Sequence, residues 1–375
     1  MLTVKRVETK KEIKDFIDFP LKLYKGNEYF VPMLYGGEKL VFKDNYPFNK
    51  VCDVCFFIAY EDGKVVGRIQ GIIQNPANEK WGQKRARFTR FDCVNDQHVA
   101  NALFDEVVKW AKEKGMEEFV GPLGYSDLER EGLLIEGFDQ KQTFEEQYNY
   151  EYYQHLIEGY GFRKDVDWVE YKLYAPKETN PKLLKIGNMM LDRYGLRIYQ
   201  AKTIKELVND YVDGLFDVIE KTYARLYGTM PLNQEIVDDY VKSFKLIIRP
   251  KDVLLILDQN NKIVGFALMF PSISDAVNKS NGKITLPFLI RFLKAKKNPK
   301  VIDLGLIGIL PEYESRGVAA SMIGLLVDYL KEEGFDHLET NLMLEHNLHI
   351  QNIMKHFDKV QNKRRRCYIK NIGEN

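Results

Sequence analysis

The chain has 375 residues, 45% apolar and 29% charged, with a formal net charge of +1. That length predicts two or three domains, and the charge balance argues against nucleic-acid or anionic-membrane partners. No signal-peptide core follows Met1 to Arg6, and no apolar run reaches the ~18 residues of a membrane span, so a cytoplasmic protein is expected.

Taken in order, residues 3–24 carry a helical stripe, Ile13, Phe16, Ile17 and Leu21. Two aromatic, proline-bearing loops follow, at 27–33 and 45–48, and read as a partly buried lid or pocket wall. Strand 55–60, a turn at Asp62-Gly63 and return strand 65–73 form a hairpin. A strand at 86–92 leads to Asn95 and Asp96, which can cap a helix with the stripe Val99, Leu103, Val107, Trp110 and a stop at Gly115. Glu118 to Pro122 is a further strand. The tail from Gly121 to Phe138 has loop glycines and charges of the kind that line pockets. Tyr148 to Tyr153 opens a helix ending at Gly161, its tyrosines serving either packing or substrate contact. The four cysteines, Cys52, Cys55, Cys93 and Cys367, make no disulfide framework and no metal site; they read as buried thiols.

A polar linker, Ala175 to Pro181, precedes a connecting helix, Lys182 to Tyr194, and a strand, Leu196 to Tyr199. A second hairpin then pairs 253–257 with 263–270. Both hairpins carry hydrophobic-Val-Gly in the return strand, at Gly67 and Gly265. Both runs continue to a helix ending Lys-Glu-x-Gly, at Gly115 and Gly334, and then to a strand. This is an internal repeat of one supersecondary order, with an insert at 271–300. Two basic clusters stand out, Arg291, Lys294, Lys296, Lys297 and Lys300, and Arg364 to Arg366. They read as solvated faces, or as long-range attraction for an anionic ligand.

The stretch 301–330 organises the rest. An apolar strand, Leu304 to Leu310, ends at Pro311, which has no N–H for the ladder. A polar turn, Glu312 to Arg316, precedes a helix with the stripe Val318, Met322, Leu325, Leu326, Tyr329. The first N–H groups of that helix, with Gly317, the small Ala319 and Ala320, and the charge of Arg316, make a pyrophosphate cradle. In the first run the same place, Phe91 to Val99, holds two Asp and neither Gly nor Lys/Arg, so it should repel a diphosphate.

Ile309-Leu310-Pro311 and Glu314-Ser315-Arg316-Gly317-Val318-Ala319 resemble the acetyl-CoA loop of the Gcn5-related N-acetyltransferases, with Glu314 where that family prefers Gln or Arg. The resemblance is strongest over residues 250–372. It implies an α/β (α+β mixed-sheet) fold of two tandem acetyltransferase-like domains, each a twisted mixed sheet flanked by helices. The expected division is a degenerate domain at 1–176, a linker and connecting helix at 177–194, and an acyl-CoA domain at 195–375. Of the tandem families, uncharacterised bacterial tandem acetyltransferases match best in order of elements.

The resemblance implies acetyl-CoA, or another acyl-CoA, held by Ile307, Ile309, Glu314, Ser315, Arg316, Gly317, Val318, Ala319, Ala320 and Asn347. It implies the Ile307 backbone N–H as donor to the thioester carbonyl and Asp303 as base; strand period two puts 303, 305, 307 and 309 on one face. The family's tyrosine acid is replaced by Met354, leaving His346, His349, His356 or solvent. The expected activity is acetyl transfer to a small-molecule or peptide amine, by a monomer or homodimer. The alternatives are a non-catalytic CoA-binding regulator and an aminoacyl or long-chain acyl transferase.

Overall fold

The structure, a computed structural model, describes residues 1–177, 181–314 and 316–373. The first run comprises β1 (Leu2–Arg6), α1 (Lys10–Leu23), β2 (Cys52–Glu61), β3 (Lys64–Gln74), β4 (Arg85–Cys93), α2 (Gln97–Glu113), β5 (Glu118–Gly121), β6 (Leu133–Glu136) and β7 (Arg163–Tyr174). The second begins with α3 (Pro181–Tyr194), β8 (Arg197–Tyr199), α4 (Val212–Tyr223), α5 (Gln234–Phe244), β9 (Val253–Leu257) and β10 (Ile263–Pro271). It continues with α6 (Leu286–Lys297), β11 (Val301–Ile309), α7 (Val318–Glu333), β12 (His337–Thr340), β13 (Met343–Leu344), α8 (Leu348–Met354) and β14 (Asp358–Asn371).

The repeat seen in the sequence is a repeat of structure. Each run has a hairpin, a third antiparallel strand, a crossover helix and a parallel partner: β4 with β5, β11 with β12. The turn residues Asp62 and Gly63 both have positive φ, as the tight hairpin requires. Asp96 caps α2, accepting from the N–H groups of His98 and Val99, and α2 buries all four residues of its stripe. Gly115 and Gly334, just past α2 and α7, are both left-handed. β1 overlaps the stretch whose pattern reads as helical; it is instead a strand that turns Leu2 and Val4 to the core and pairs with β2.

All strands belong to one sheet, ordered β1-β2-β3-β4-β5-β14-β7-β12-β11-β10-β9-β8, with β6 on β14 and β13 on β7. The sheet does not break at the linker. The last strand of the chain, β14, lies between β5 and β7, and β7 lies against β12. The two runs thus exchange their final strands.

This exchange explains the Arg364 to Arg366 cluster, which is not a solvated face. On β14, alternate residues point to opposite faces. Lys363 and Arg365 are fully buried. Lys363 Nζ meets Glu146 at 3.2 Å, Glu170 at 3.0 Å and Glu339 at 3.0 Å, and Arg365 Nε meets Glu170 at 2.6 Å. Arg364 and Arg366 pair instead with Asp167. The four cysteines are free and buried, as expected.

Candidate active site

β11 and β12 stay in register from Val301↔His337 to Leu304↔Thr340 and then part. Beyond Thr340 the chain turns to β13, which pairs with β7. Asn341 makes the last ties across the fork, from its N–H to the Leu304 carbonyl at 3.1 Å and from Nδ2 to the Gly305 carbonyl at 3.4 Å. Past this point the edge of β11 has no strand beside it. Tyr223, at the end of α4, covers it: the tyrosine hydroxyl accepts from the Ile307 N–H at 3.2 Å and donates to the Ile307 carbonyl at 3.1 Å. A movable side chain thereby satisfies backbone groups that would be costly to bury bare. Burial pushes the Tyr223 pKa up and keeps its proton on.

The single-face expectation for 303, 305, 307 and 309 is corrected by a bulge. Leu306 faces Leu268 across β10, but Leu304 faces Met269, so Gly305 is extra. The phase of the strand flips there. Ile302, Leu304, Ile307 and Ile309 pack with α7, whereas Leu306 packs in the core that also holds Phe266 and Phe270. Asp303 pairs with Phe270 and so lies across the sheet from the Ile307 side chain. It is 4% exposed and neither oxygen has a hydrogen-bond partner among the described residues. Burial, then the Glu339 carboxylate beside it, pushes its pKa well up. Asp303 lines neither the cleft nor the two further cavities described below.

β11 leads through one helical turn, Pro311–Glu314, to Gly317, whose φ of +75° opens the 16-residue α7. A side chain there would be strained, and its Cβ would meet Met190 of α3 at 3.2 Å. The Arg316 guanidinium lies over the rings of Tyr194 and Tyr313, 5.0 and 5.2 Å from their centroids, which holds its charge beside the helix start. Val318 is buried in the core; Ala319 and Ala320 are half-buried. Ser315 lies outside the described residues. Asn347 caps α8, accepting from the Ile350 N–H at 3.3 Å. In the first run the equivalent place is filled by its own groups: Asp92 accepts from Arg68 at 2.7 Å and from the Tyr24 hydroxyl at 3.1 Å.

A cleft of about 280 Å³ follows the open edge of β11. Of the expected cofactor residues it is lined by Ile307, Ile309, Glu314 and Asn347; Met354 and His349 also face it. From the first run come Asp127, Glu129 and Glu131, out of the glycine-bearing tail. Burial raises the Asp127 pKa to about 6. Burial, with Asp127 adding to it, pushes Glu131 well up, and its Oε1 has no partner among the described residues. Tyr223 and these carboxylates were not singled out from the sequence. Tyr223 continues the apolar stripe of α4, and nothing in a loop's composition says which strand edge it will face.

Gly305, Leu306 and Asn341 line both the cleft and an apolar chamber of about 90 Å³ between the sheet and helices α4 and α5, walled by Leu215, Ile219, Phe244 and Phe270. Leu128, Glu145, Tyr240 and Phe244 line both that chamber and a wider cavity of about 340 Å³. Both loops expected to form a pocket wall contribute to it, through Phe30, Pro32, Met33 and Tyr46.

Residues 220–356, which hold the fork, the bulge and the cradle, match the acetyltransferase (GNAT) family. That stretch of the second half is similar to a GNAT acetyltransferase domain. The whole chain has the tandem GNAT fold: a tandem GNAT protein from the clavulanic acid biosynthesis pathway superposes with a TM-score of 0.57, 100% of each chain covered and 9% identity. The chain is also 25% identical to Protein YghO of Escherichia coli K12, over 97% of this chain and 94% of that one. It is 24% identical to a bacterial ceramide synthase of Caulobacter vibrioides, over 98% and 97%. The left-handed Gly317, the unpaired strand edge and the small side chains at the start of α7 fit an acyl-CoA on this domain.

Proposed function

We propose that the protein is an acyl-CoA-dependent N-acyltransferase, and that its acyl group or its amine carries a long alkyl chain. The apolar chamber next to the cleft carries this reading: Gly305, Leu306 and Asn341 line both. An acetyl group, the donor implied by the family resemblance, needs only the cleft. A chain of methylenes gains about 0.8 kcal/mol for each CH₂ it buries in such a chamber. The similarity to a ceramide synthase supports the same substrate class, since a ceramide is an N-acylated long-chain amine.

Acyl-CoA supplies an activated thioester carbonyl; the chain's own groups do the rest. The Ile307 N–H, once the Tyr223 hydroxyl yields it, donates to the oxygen on which charge develops, an effect of about 3 to 4 kcal/mol for one such donor. Asp127, with a pKa of about 6, is ionised at neutral pH and takes the proton of the attacking amine. As the C–N bond forms and the C–S bond breaks, the proton taken by Asp127 passes to the departing thiolate through the Tyr223 hydroxyl, which gives one proton and regains another, so both side chains end as they began. Asp303 is better read as a buried neutral acid than as this base.

The test pairs binding with turnover. Calorimetric titration with CoA should show binding that an Arg316→Glu, Gly317→Trp variant loses. Thiol release from palmitoyl-CoA and from acetyl-CoA is then followed with dodecylamine as acceptor. Turnover is expected to rise with pH through about 6 and to lose that limb in Asp127→Asn, while Val212→Trp, in the chamber wall, should shift preference toward shorter chains. CoA binding without thiol release from either donor would leave a CoA-responsive regulator. No CoA binding by folded wild type would sink the assignment.

A further inference from the structure

The insert of the second run places α6 on the outside of the molecule. Its inner face is aromatic: Phe288 is buried and Phe292 half-buried. Its outer face is a stripe at i, i+3, i+4 and i+7, namely Leu286, Leu289, Ile290 and Leu293, which are 71%, 42%, 61% and 61% exposed. Isolated exposed leucines are ordinary, but four on one helix face are a patch. Ile284, just before the helix, is 63% exposed and extends it.

The charge around this stripe has one sign. From Ala276 to Ile302 there is no Asp or Glu, and there are seven bases. Lys279 and Lys283 precede the helix, Arg291, Lys294, Lys296 and Lys297 lie on it, and Lys300 follows. None makes an ion pair among the described residues. The whole chain carries only +1, so this density is local to the patch.

The helix is tied at both ends to residues that line the wider cavity. At its N-terminal end, Tyr35 N–H donates to the Gly282 carbonyl at 2.8 Å and Lys283 lies over the Tyr35 ring. At its C-terminal end, Lys296 Nζ donates to the Leu246 carbonyl at 2.6 Å. Tyr35 and Leu246 both line that cavity, and Leu246 and Leu40 on its rim are themselves 64% and 41% exposed.

We infer that α6 docks this protein on an anionic bilayer surface, with Leu286, Leu289, Ile290 and Leu293 among the acyl chains and the flanking lysines on the headgroups. An amphipathic helix with an apolar stripe and a purely basic border lies in the interface plane and does not cross it, consistent with the lack of a membrane-spanning helix among the described residues. Each base near such a surface adds attraction that salt screens. Docked so, the lining residues Leu40 and Leu246, both exposed, lie beside the helix that meets the bilayer. A second copy of the chain is disfavoured as the occupant, because two such faces bring fourteen like charges together.

Full-length protein is sedimented with vesicles of phosphatidylcholine alone and with 30% phosphatidylglycerol. Binding is expected only to the anionic vesicles, weakening as salt rises, and falling at least about tenfold in Leu289→Asp, Ile290→Asp and in Lys294→Glu, Lys297→Glu. These side chains are exposed, so folding is unaffected, which circular dichroism checks. In Ile290→Trp the added indole should be quenched by brominated acyl chains. Failure of wild type to bind anionic vesicles at low salt, or binding indifferent to both double variants, overturns the inference. So does a concentration-dependent dimer that Ile290→Asp dissociates. None of these readouts depends on acyltransferase activity.

Discussion

Glu145 lines both the apolar chamber and the wider cavity, and its Oε1 has no partner among the described residues. Burial raises its pKa to about 7, with Arg130 opposing. The folded pKa thus lies above the usual carboxylate value, so the protonated form favours folding. That contribution is complete below pH ~4.5 and is lost as pH rises through 7. Glu145→Gln should therefore match wild type at pH 5 and be more stable at pH 8 by about 1 to 3 kcal/mol, read by urea melts at the two pH values. The behaviour of Glu145 was not legible in the sequence, which shows Glu145-Glu146 as an ordinary acidic pair. Burial separates them: Glu146 meets Lys363 and Arg365, while Glu145 faces the cavities.

At the scale of elements, the turn before α7 was readable because Pro311, Gly317 and the paired alanines each answer a local need: a ladder end, a left-handed residue and room at a helix start. Gly317→Ala should cost about 1 kcal/mol of stability from its positive φ, with a further packing cost against Met190, and should weaken CoA binding. Adding Met190→Ala would relieve the packing share alone, which separates the two in thermal melts. The bulge at Gly305 was not readable. A glycine inside an apolar strand is compatible with regular pairing, and only the register of β10 shows that one residue is left over. The expected placement of Asp303 failed for that reason.

At the scale of the molecule, the exchanged strands join the two runs into one sheet, and the buried group Glu146, Glu170, Glu339, Lys363 and Arg365 sits at the seam. Its members come from both runs. Lys363 holds the Glu339 carboxyl down to about 2 after burial has worked against it. Lys363→Met leaves buried carboxylates unpaired and should cost about 3 to 5 kcal/mol. Because β14 pairs with β5 and β7 alike, tryptophan fluorescence, which comes from Trp81, Trp110 and Trp168 of the first run, and far-ultraviolet dichroism should report one shared unfolding transition in wild type. Two well-separated transitions would show that the seam does not couple the halves.

The sequence by itself determined the order of elements, the repeat, the caps and the left-handed turn before α7, since each depends on contacts within a few residues or on the period of a strand or helix. It also determined that four cysteines would be buried. Only the tertiary structure decided which strands the two runs exchange, which face of β11 carries Asp303, and that Asp127 and Tyr223 line one cleft. Those outcomes depend on pairings between residues far apart in the chain, where neither local propensity nor spacing specifies the partner.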